Sequence, residues 1–268
     1  MKVLVIPDIH LKPYMFDSAK TLLENNLAHK AVCLGDLADD WGRQWDKELY
    51  IETYDRAIKF AKDFPGTLWC YGNHDVAYPW NQKQSGYSPI AAYIVTNKLQ
   101  ELKETMPDNK QLAFIHRIDD VMFMHGGLSD YYVRKMVPAK AYNNIDMVIE
   151  TINGFGYSEL WTDISPLWLR PQYNNTKMYK PRKMLQVVGH TPVSRISKVN
   201  NIISCDSFST DREHCPIGPW EFVIVDTKTK EYWTEPFMHD ANGFTQEEAA
   251  ELKRRMEDVT KGNVLKRS

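Results

Sequence analysis

Five short clusters of Asp, Asn, His and Gly could carry chemistry in this chain, and each follows an apolar run. Ile6 leads into Asp8-Ile9-His10, and Leu34 into Gly35-Asp36, with Asp39 three residues on. Tyr71 leads into Gly72-Asn73-His74-Asp75, Met124 into His125-Gly126-Gly127, and Val188 into Gly189-His190-Thr191. Asp8 and His10 are two apart, so on extended backbone a carboxylate and an imidazole point the same way. Together they make half of a metal site. Asp36 has two carboxylate oxygens and can bridge two cations. Asn73 offers a neutral amide oxygen, and His125 and His190 offer ring nitrogens. Such mixed oxygen and nitrogen ligation suits manganese, iron, zinc or nickel better than calcium, and it lacks the thiolates of a structural zinc site. Glycines beside these residues allow sharp turns and close backbone approach. Each cluster alone reads as a turn, a helix cap or a hydrogen-bonded core histidine. The five together read as one shared metal site.

The elements that must position them form a layered α/β pattern, in which ligands bind at the carboxyl ends of strands. Residues 2–6, 31–34 and 67–71 read as strands. Between them, 17–29 reads as a helix with Asp17 as N-cap, and 46–64 as a second helix stopped by Pro65 and Gly66. The second half is richer in strands, at 121–124, 184–188, 202–205 and 222–225, the last turning through Lys228 and Thr229 into a hairpin. Segments 88–103 and 142–152 look helical, and 170–183, with Pro171 and Pro181, reads as a polar loop. Thr245 and Glu248 have capping-box spacing for a last helix at 245–260. No linker divides the pattern, so the expectation is a single domain over 1–268.

Composition narrows the class. Lys and Arg total 33 against 35 Asp and Glu, a net charge of −2, without the basic excess of a dedicated nucleic-acid binder. No apolar run approaches the roughly 20 residues that cross a bilayer. Cys33, Cys70, Cys205 and Cys215 form no CxxC pair, and the first three lie in apolar runs, so they read as buried thiols of a cytoplasmic protein.

Taken in order, Asp8-Ile9-His10, Gly35-Asp36-Leu37-Ala38-Asp39, Gly72-Asn73-His74-Asp75, Met124-His125-Gly126-Gly127-Leu128-Ser129 and Val188-Gly189-His190-Thr191-Pro192 resemble the calcineurin-like metallophosphoesterases. Within that superfamily they are similar to the bacterial and phage members of the phosphoprotein-phosphatase branch. The resemblance covers residues 1–210, and Leu167-Trp168-Leu169-Arg170 and 202–206 are similar to two weaker signatures of those members. It implies a central β-sandwich flanked by helices. It also implies that Asp8 and His10 hold a first metal, that Asp36 bridges, and that Asn73, His125 and His190 hold a second. His74 would be the catalytic histidine, hydrogen-bonded to Asp39. Pro192 stands where many superfamily members carry a further histidine, as in the phosphoprotein-phosphatase branch.

The implied chemistry is hydrolysis of phosphomonoesters. Two divalent cations, manganese first and iron, zinc or nickel as alternatives, share a water and make it a hydroxide nucleophile near neutral pH. His74 would protonate the leaving oxygen. The expected substrate is a phosphoprotein of the serine/threonine type or a small phosphoester. A nucleotidase or dinucleoside-polyphosphate hydrolase would use the same metal residues. An inactive metal-binding scaffold is the reading from another class, and the presence of every ligand and of His74 argues against it.

One departure stands out. The eukaryotic-type pattern has an arginine directly after the equivalent of Asp39, and here that residue is Asp40. Arg43 could reach in instead or be a solvated loop residue. Arg170 is the better candidate for a bidentate phosphate contact, because a planar guanidinium matches two phosphate oxygens. Trp41, Trp45, Tyr78, Trp80 and Tyr87 could stack on a nucleobase, but packing of the loops is the favoured reading. Lys177, Lys180, Arg182 and Lys183 could steer an anion or form an ordinary basic loop.

Overall fold

β-Branched runs that are apolar at every position belong to strands covered on both faces. In the computed structural model, which describes residues 1–173 and 176–237, they build two facing sheets. The chain runs β1 (Lys2–Ile6), α1 (Met15–Glu24), β2 (Lys30–Cys33), α2 (Lys47–Asp63), β3 (Leu68–Cys70), α3 (Asn73–Ala77), α4 (Ala92–Thr105) and β4 (Leu112–Ala113). It continues with β5 (Ile115–Ile118), β6 (Val121–Met124), α5 (Asp130–Met136), α6 (Ile145–Asn153), α7 (Tyr157–Leu160), β7 (Leu185–Val188), β8 (Ser197–Val199), β9 (Ile202–Ser204), β10 (Glu221–Asp226) and β11 (Tyr232–Pro236). One sheet has the order β11-β10-β1-β2-β3-β4 and the other β5-β6-β7-β9-β8.

Strand period decides the packing. Val3 and Val5 face the second sheet and meet Val32, Phe123, Val187 and Val223 between the layers. Leu4 and Ile6 face outward onto Met15, Tyr50, Tyr54 and Val95 of the covering helices. On the other sheet Met122 and Met124 face outward onto Tyr132, Val148 and Ile152. Each fully buried aliphatic side chain contributes roughly 1.5–3 kcal/mol. β1, β2 and β3 run parallel, as do β6 and β7. Their carboxyl ends therefore come out at one edge of the sandwich.

The helix expectations hold with shifted ends. Asp46 caps α2, its carboxylate accepting from Leu49 N at 3.2 Å. Ser88 instead bonds the N–H of Ala91, and α4 begins only at Ala92. α1 begins before Asp17, which lies in its first turn rather than capping it. It ends at Glu24, short of 29, because Asn26 turns into the left-handed region at φ 58°. α5 went unforeseen, although Ser129 caps it through Tyr132 N at 3.0 Å. The expected last helix at 245–260 lies outside the described residues. Among the described residues, no helix is long and apolar enough to cross a membrane.

Candidate metal centre

His125, at the end of β6, is the hub of the strand-end edge. Its Nδ1 lies 3.0 Å from the Leu34 carbonyl oxygen, a contact that requires the ring N–H at Nδ1. Its Nε2 then points at Asn73 Oδ1 (2.8 Å), His190 Nδ1 (3.0 Å) and Asp36 Oδ2 (3.2 Å). The Asn73 amide is oriented by its Nδ2 donating to Gln84 Oε1 at 2.7 Å, which turns its oxygen toward this cluster. Nitrogen and oxygen lone pairs from four buried residues therefore converge on one point.

A second cluster abuts the first. Ligand atoms of Asp8, His10 and Asp36 lie within 4.8 Å of one another, as do those of Asp36, His125 and His190. Asp36 belongs to both. Its Oδ2 is 3.2 Å from His125 Nε2 and 3.7 Å from His10 Nε2, while its Oδ1 accepts the His74 N–H at 2.8 Å. His10 Nδ1 donates to the Asp39 carbonyl at 2.8 Å, so its Nε2 faces Asp36.

Two observations say that a cation fits here. Asp8 Oδ2 and His190 Nε2 are buried without a hydrogen-bond partner, in a structure where such atoms are few. The field of the cluster also draws positive charge. Burial alone would lower the pKa of His125, yet the carboxylates of Asp36 and Asp8 push it up to about 9. His190 goes the other way, well below the usual imidazole range, because burial, His125 and Arg170 all oppose its protonation. A neutral His190 is a competent ligand. The donor set of carboxylate, amide and imidazole suits manganese, iron, zinc or nickel.

The backbone is bent to make this arrangement. His10, Asp36, Asp39 and His190 all take positive φ, at 42°, 49°, 66° and 62°. Such left-handed residues cost roughly 1–2 kcal/mol each and cluster at functional sites. Asp75 offsets part of that cost. Its buried carboxylate accepts from Asp36 N, Leu37 N and Gly72 N at 2.8, 2.9 and 3.0 Å, tying two of the turns together. Two glycines are required by close approach. A Cβ on Gly72 would lie 2.0 Å from Asp36 Oδ1, and one on Gly189 would lie 2.1 Å from Asp8 Oδ2.

His74 sits beside the clusters, on the first turn of α3. Its Nδ1 is 2.8 Å from Asp39 Oδ2. The other oxygen of Asp39 accepts from Tyr50 OH at 2.7 Å and from Tyr78 OH. A cavity of about 150 Å³ opens in front, lined by His10, Asp36, His74, Arg170 and His190. Arg170 is fixed there by donating from Nη1 to the His190 carbonyl at 2.8 Å. A larger cleft of about 1060 Å³ lies between α4 and α6, but no comparable ligand cluster occurs there among the described residues.

The structure thus brings together Asp8, His10, Asp36, Asp39, Asn73, His74, His125, Arg170 and His190. It does not bring Arg43. That side chain is half exposed, outside the cavity, with its guanidinium 4.0 Å from Asp46 at the start of α2. Helix α2 begins so soon after it that the loop turns Arg43 away. Of the aromatic residues, Tyr78 stacks on Tyr87 and Trp80 packs beside Phe114, Trp161 and Tyr157, as packing required. Trp41 borders the cavity, and Trp45 is 74% exposed. Gln84, Tyr50 and Asp206 were not singled out from sequence. Asp206 is buried on the cavity wall and accepts from Ser209 Oγ at 2.9 Å. Its sequence signals were its place at the end of the 202–205 strand and within the weaker signature at 202–206, neither of which gave it a role.

Two mixed sheets carry adjacent Asp/His clusters that could hold metal at their shared edge, and together with the family match this makes the protein a metal-dependent phosphoric ester hydrolase. The family profile for calcineurin-like phosphoesterases matches residues 1–215, and the chain belongs to that family, whose members use divalent metals. The fold is similar to that of a cold-active protein-tyrosine phosphatase from a psychrophilic Shewanella species, with 19% identity, TM-score 0.53, and coverage of 87% of this chain and 80% of that one. Also similar are a metallophosphoesterase from Sphaerobacter thermophilus (13% identity, TM-score 0.41, 97% and 94% coverage) and an archaeal phosphodiesterase (15% identity, TM-score 0.40, 88% and 99% coverage). Curated protein sequences yield no match.

Proposed function

We propose that this protein is a dinuclear phosphomonoesterase of serine/threonine protein-phosphatase type, with manganese as its preferred metal. The observation that carries the reading is the shared Asp36 Oδ2, common to two ligand clusters that the His74–Asp39 pair adjoins. Asp8, His10 and Asp36 would hold one cation, and Asp36, Asn73, His125 and His190 the other. Bound there, the cations supply an acidified water and neutralise the charge of the phosphoryl group in flight.

The chain's own residues do the rest. Asp39 accepts the Nδ1 proton of His74, and Tyr50 and Tyr78 hold that carboxylate in place. The opposite edge of the ring faces the cavity and keeps a proton at Nε2 for the leaving oxygen. Burial works against protonation of His74, but Asp36 and Asp39 outweigh it and raise the pKa. Arg170 spends one nitrogen on the His190 carbonyl. The remaining N–H groups of its guanidinium can meet two phosphate oxygens.

The test is hydrolysis of an aryl phosphate and of a phosphoserine peptide by protein stripped of metal and reloaded with manganese. Manganese-dependent turnover of both is expected, with a dinucleoside polyphosphate the poorer substrate. His74→Asn should retain metal and lose ~10²–10⁴ in kcat, the worth of general acid help. Full activity of that variant would overturn the role of His74, and preference for the dinucleoside polyphosphate would overturn the substrate class.

A further inference from the structure

The residue that departs from the family pattern, Asp40, does not face the cavity as a free charge. Its Oδ2 lies 3.2 Å from Lys12 Nζ, and that lysine is itself buried. Its Oδ1 accepts the Trp41 N–H at 2.8 Å and the Thr210 hydroxyl at 3.4 Å. Asp40 therefore neutralises Lys12 and ties the loop carrying Trp41 to the segment carrying Thr210.

That second segment is a tight turn. Thr210 and Pro216 form an antiparallel bridge. Between them the Asp211 carboxylate accepts from Glu213 N and Cys215 N, both at 2.9 Å. Arg212 stands at the tip. Its guanidinium lies over the Trp41 ring, 5.1 Å from the centroid, and Trp41 borders the catalytic cavity. His214 packs the same turn against Gly42, where a Cβ would lie 3.3 Å from its Nε2. Among the described residues, no carboxylate comes within 4.0 Å of the Arg212 guanidinium, and its side chain is exposed. An arginine oriented on an aromatic face keeps its N–H groups free for an anion.

Arg212 itself stands outside the cavity lining, but both Trp41, on which it rests, and Thr210, two residues before it, border the cavity. We infer that Arg212 is a substrate-binding residue, reaching over Trp41 at the cavity rim to clasp the phosphate dianion opposite Arg170. It supplies from a later turn the cation that the family pattern places at position 40. A dianion held between Arg170 and Arg212 favours a phosphomonoester over a phosphodiester, which carries only one negative charge. The inference rests on the phosphomonoesterase reading above.

The test compares manganese-loaded wild type with Arg212→Ala, Arg212→Lys, Trp41→Ala and the Arg212→Ala/Trp41→Ala double variant. The readouts are kcat and KM on an aryl phosphate and on a bis-aryl phosphodiester, the inhibition constant of inorganic phosphate, and its affinity by calorimetry. Arg212→Ala should lose about tenfold in phosphate affinity and in kcat/KM for the monoester, with metal content and Tm unchanged. The diester should be affected by less than about threefold, and Arg212→Lys should recover part of the loss. Trp41→Ala should weaken phosphate binding too, and the double variant should fall short of the product of the single effects. Phosphate affinity and monoester kinetics unchanged in Arg212→Ala overturn the inference. Equal losses on monoester and diester overturn its dianion preference. Phosphate binding that depends on Arg212 in a wild type that hydrolyses no monoester would support the anion site and overturn the phosphomonoesterase reading instead. A wild type that binds no phosphate overturns both.

Discussion

Two buried histidines on neighbouring strands show what separates the strand-end edge, with its Asp/His clusters, from the rest of the sandwich. His125 ends β6 and is 0% exposed, and His116 lies on β5 and is 8% exposed. Burial lowers the pKa of both. His116 has no carboxylate among the causes of its shift: burial first, with the Lys30 cation adding to it, outweighs its backbone bonds with Trp69 O (2.8 Å from its Nε2) and Gln111, and it falls to about 4. His125 has Asp36 and Asp8 beside it and rises to about 9. Desolvation is common to the two regions, so it cannot be what makes a site. The carboxylates gathered by the strand-end turns make the difference, and they attract a cation as they attract a proton.

The largest effect should come from removing the carboxylate common to both clusters. Asp36→Asn keeps an oxygen for the His74 N–H but deletes the shared charge. We expect the variant to lose at least one metal equivalent, measured by elemental analysis after desalting. Manganese-supported turnover of aryl phosphate should fall by roughly 10³-fold or more. Two tightly held metals in Asp36→Asn would show that Asp36 does not bridge.

Glycine offers the next contrast. Gly189→Ala would press a methyl group to 2.1 Å from Asp8 Oδ2, whereas a Cβ on Gly66 meets nothing within 4 Å. The first change must displace Asp8 or the turn bearing His190, at a cost of about 1–3 kcal/mol or more. Gly66→Ala should stay within about 0.5 kcal/mol of wild type. Denaturant unfolding measures both, and metal content should fall only in Gly189→Ala. Equal stability of the two variants would mean that the edge is looser than its geometry shows.

What could be read from sequence divides along the same line. The strand-end clusters were legible because an apolar run followed by Asp, Asn, His or Gly is a local pattern, and the covering helices were legible from their periodicity. The partners that orient the cluster are not local. Gln84 reaches Asn73 across eleven residues, and Tyr50 and Tyr78 reach Asp39 from two different helical segments. No spacing rule links them to their targets. Closeness in sequence to Asp40 made Arg43 a candidate alongside a solvated loop residue, and it lies outside the cavity, beside Asp46 at the start of α2. Arg212 is far from Asp40 in sequence, and a hydroxyl–carboxylate contact brings its turn across. Backbone strain was equally hidden, since His10 and Asp36 read as strand-end residues with nothing to mark their positive φ.

The smallest effect isolates the other histidine. His116 has a folded pKa of about 4 against an ordinary value of 6.5. Between those values the unfolded chain binds a proton that the folded chain refuses, so stability falls as pH drops. The contribution is fully present above pH 6.5 and is exhausted below about 4, amounting to about 3 kcal/mol across the window. His116→Gln keeps an N–H for the Trp69 carbonyl and removes the titration. Urea unfolding of both metal-stripped proteins at pH 7.5 and pH 4.5 cancels the carboxylate contributions they share. Wild type should lose about 2–3 kcal/mol more than the variant over that interval. An equal loss in the two proteins would mean that His116 already carries its proton when folded, and that burial without a neighbouring carboxylate does not set these two histidines apart.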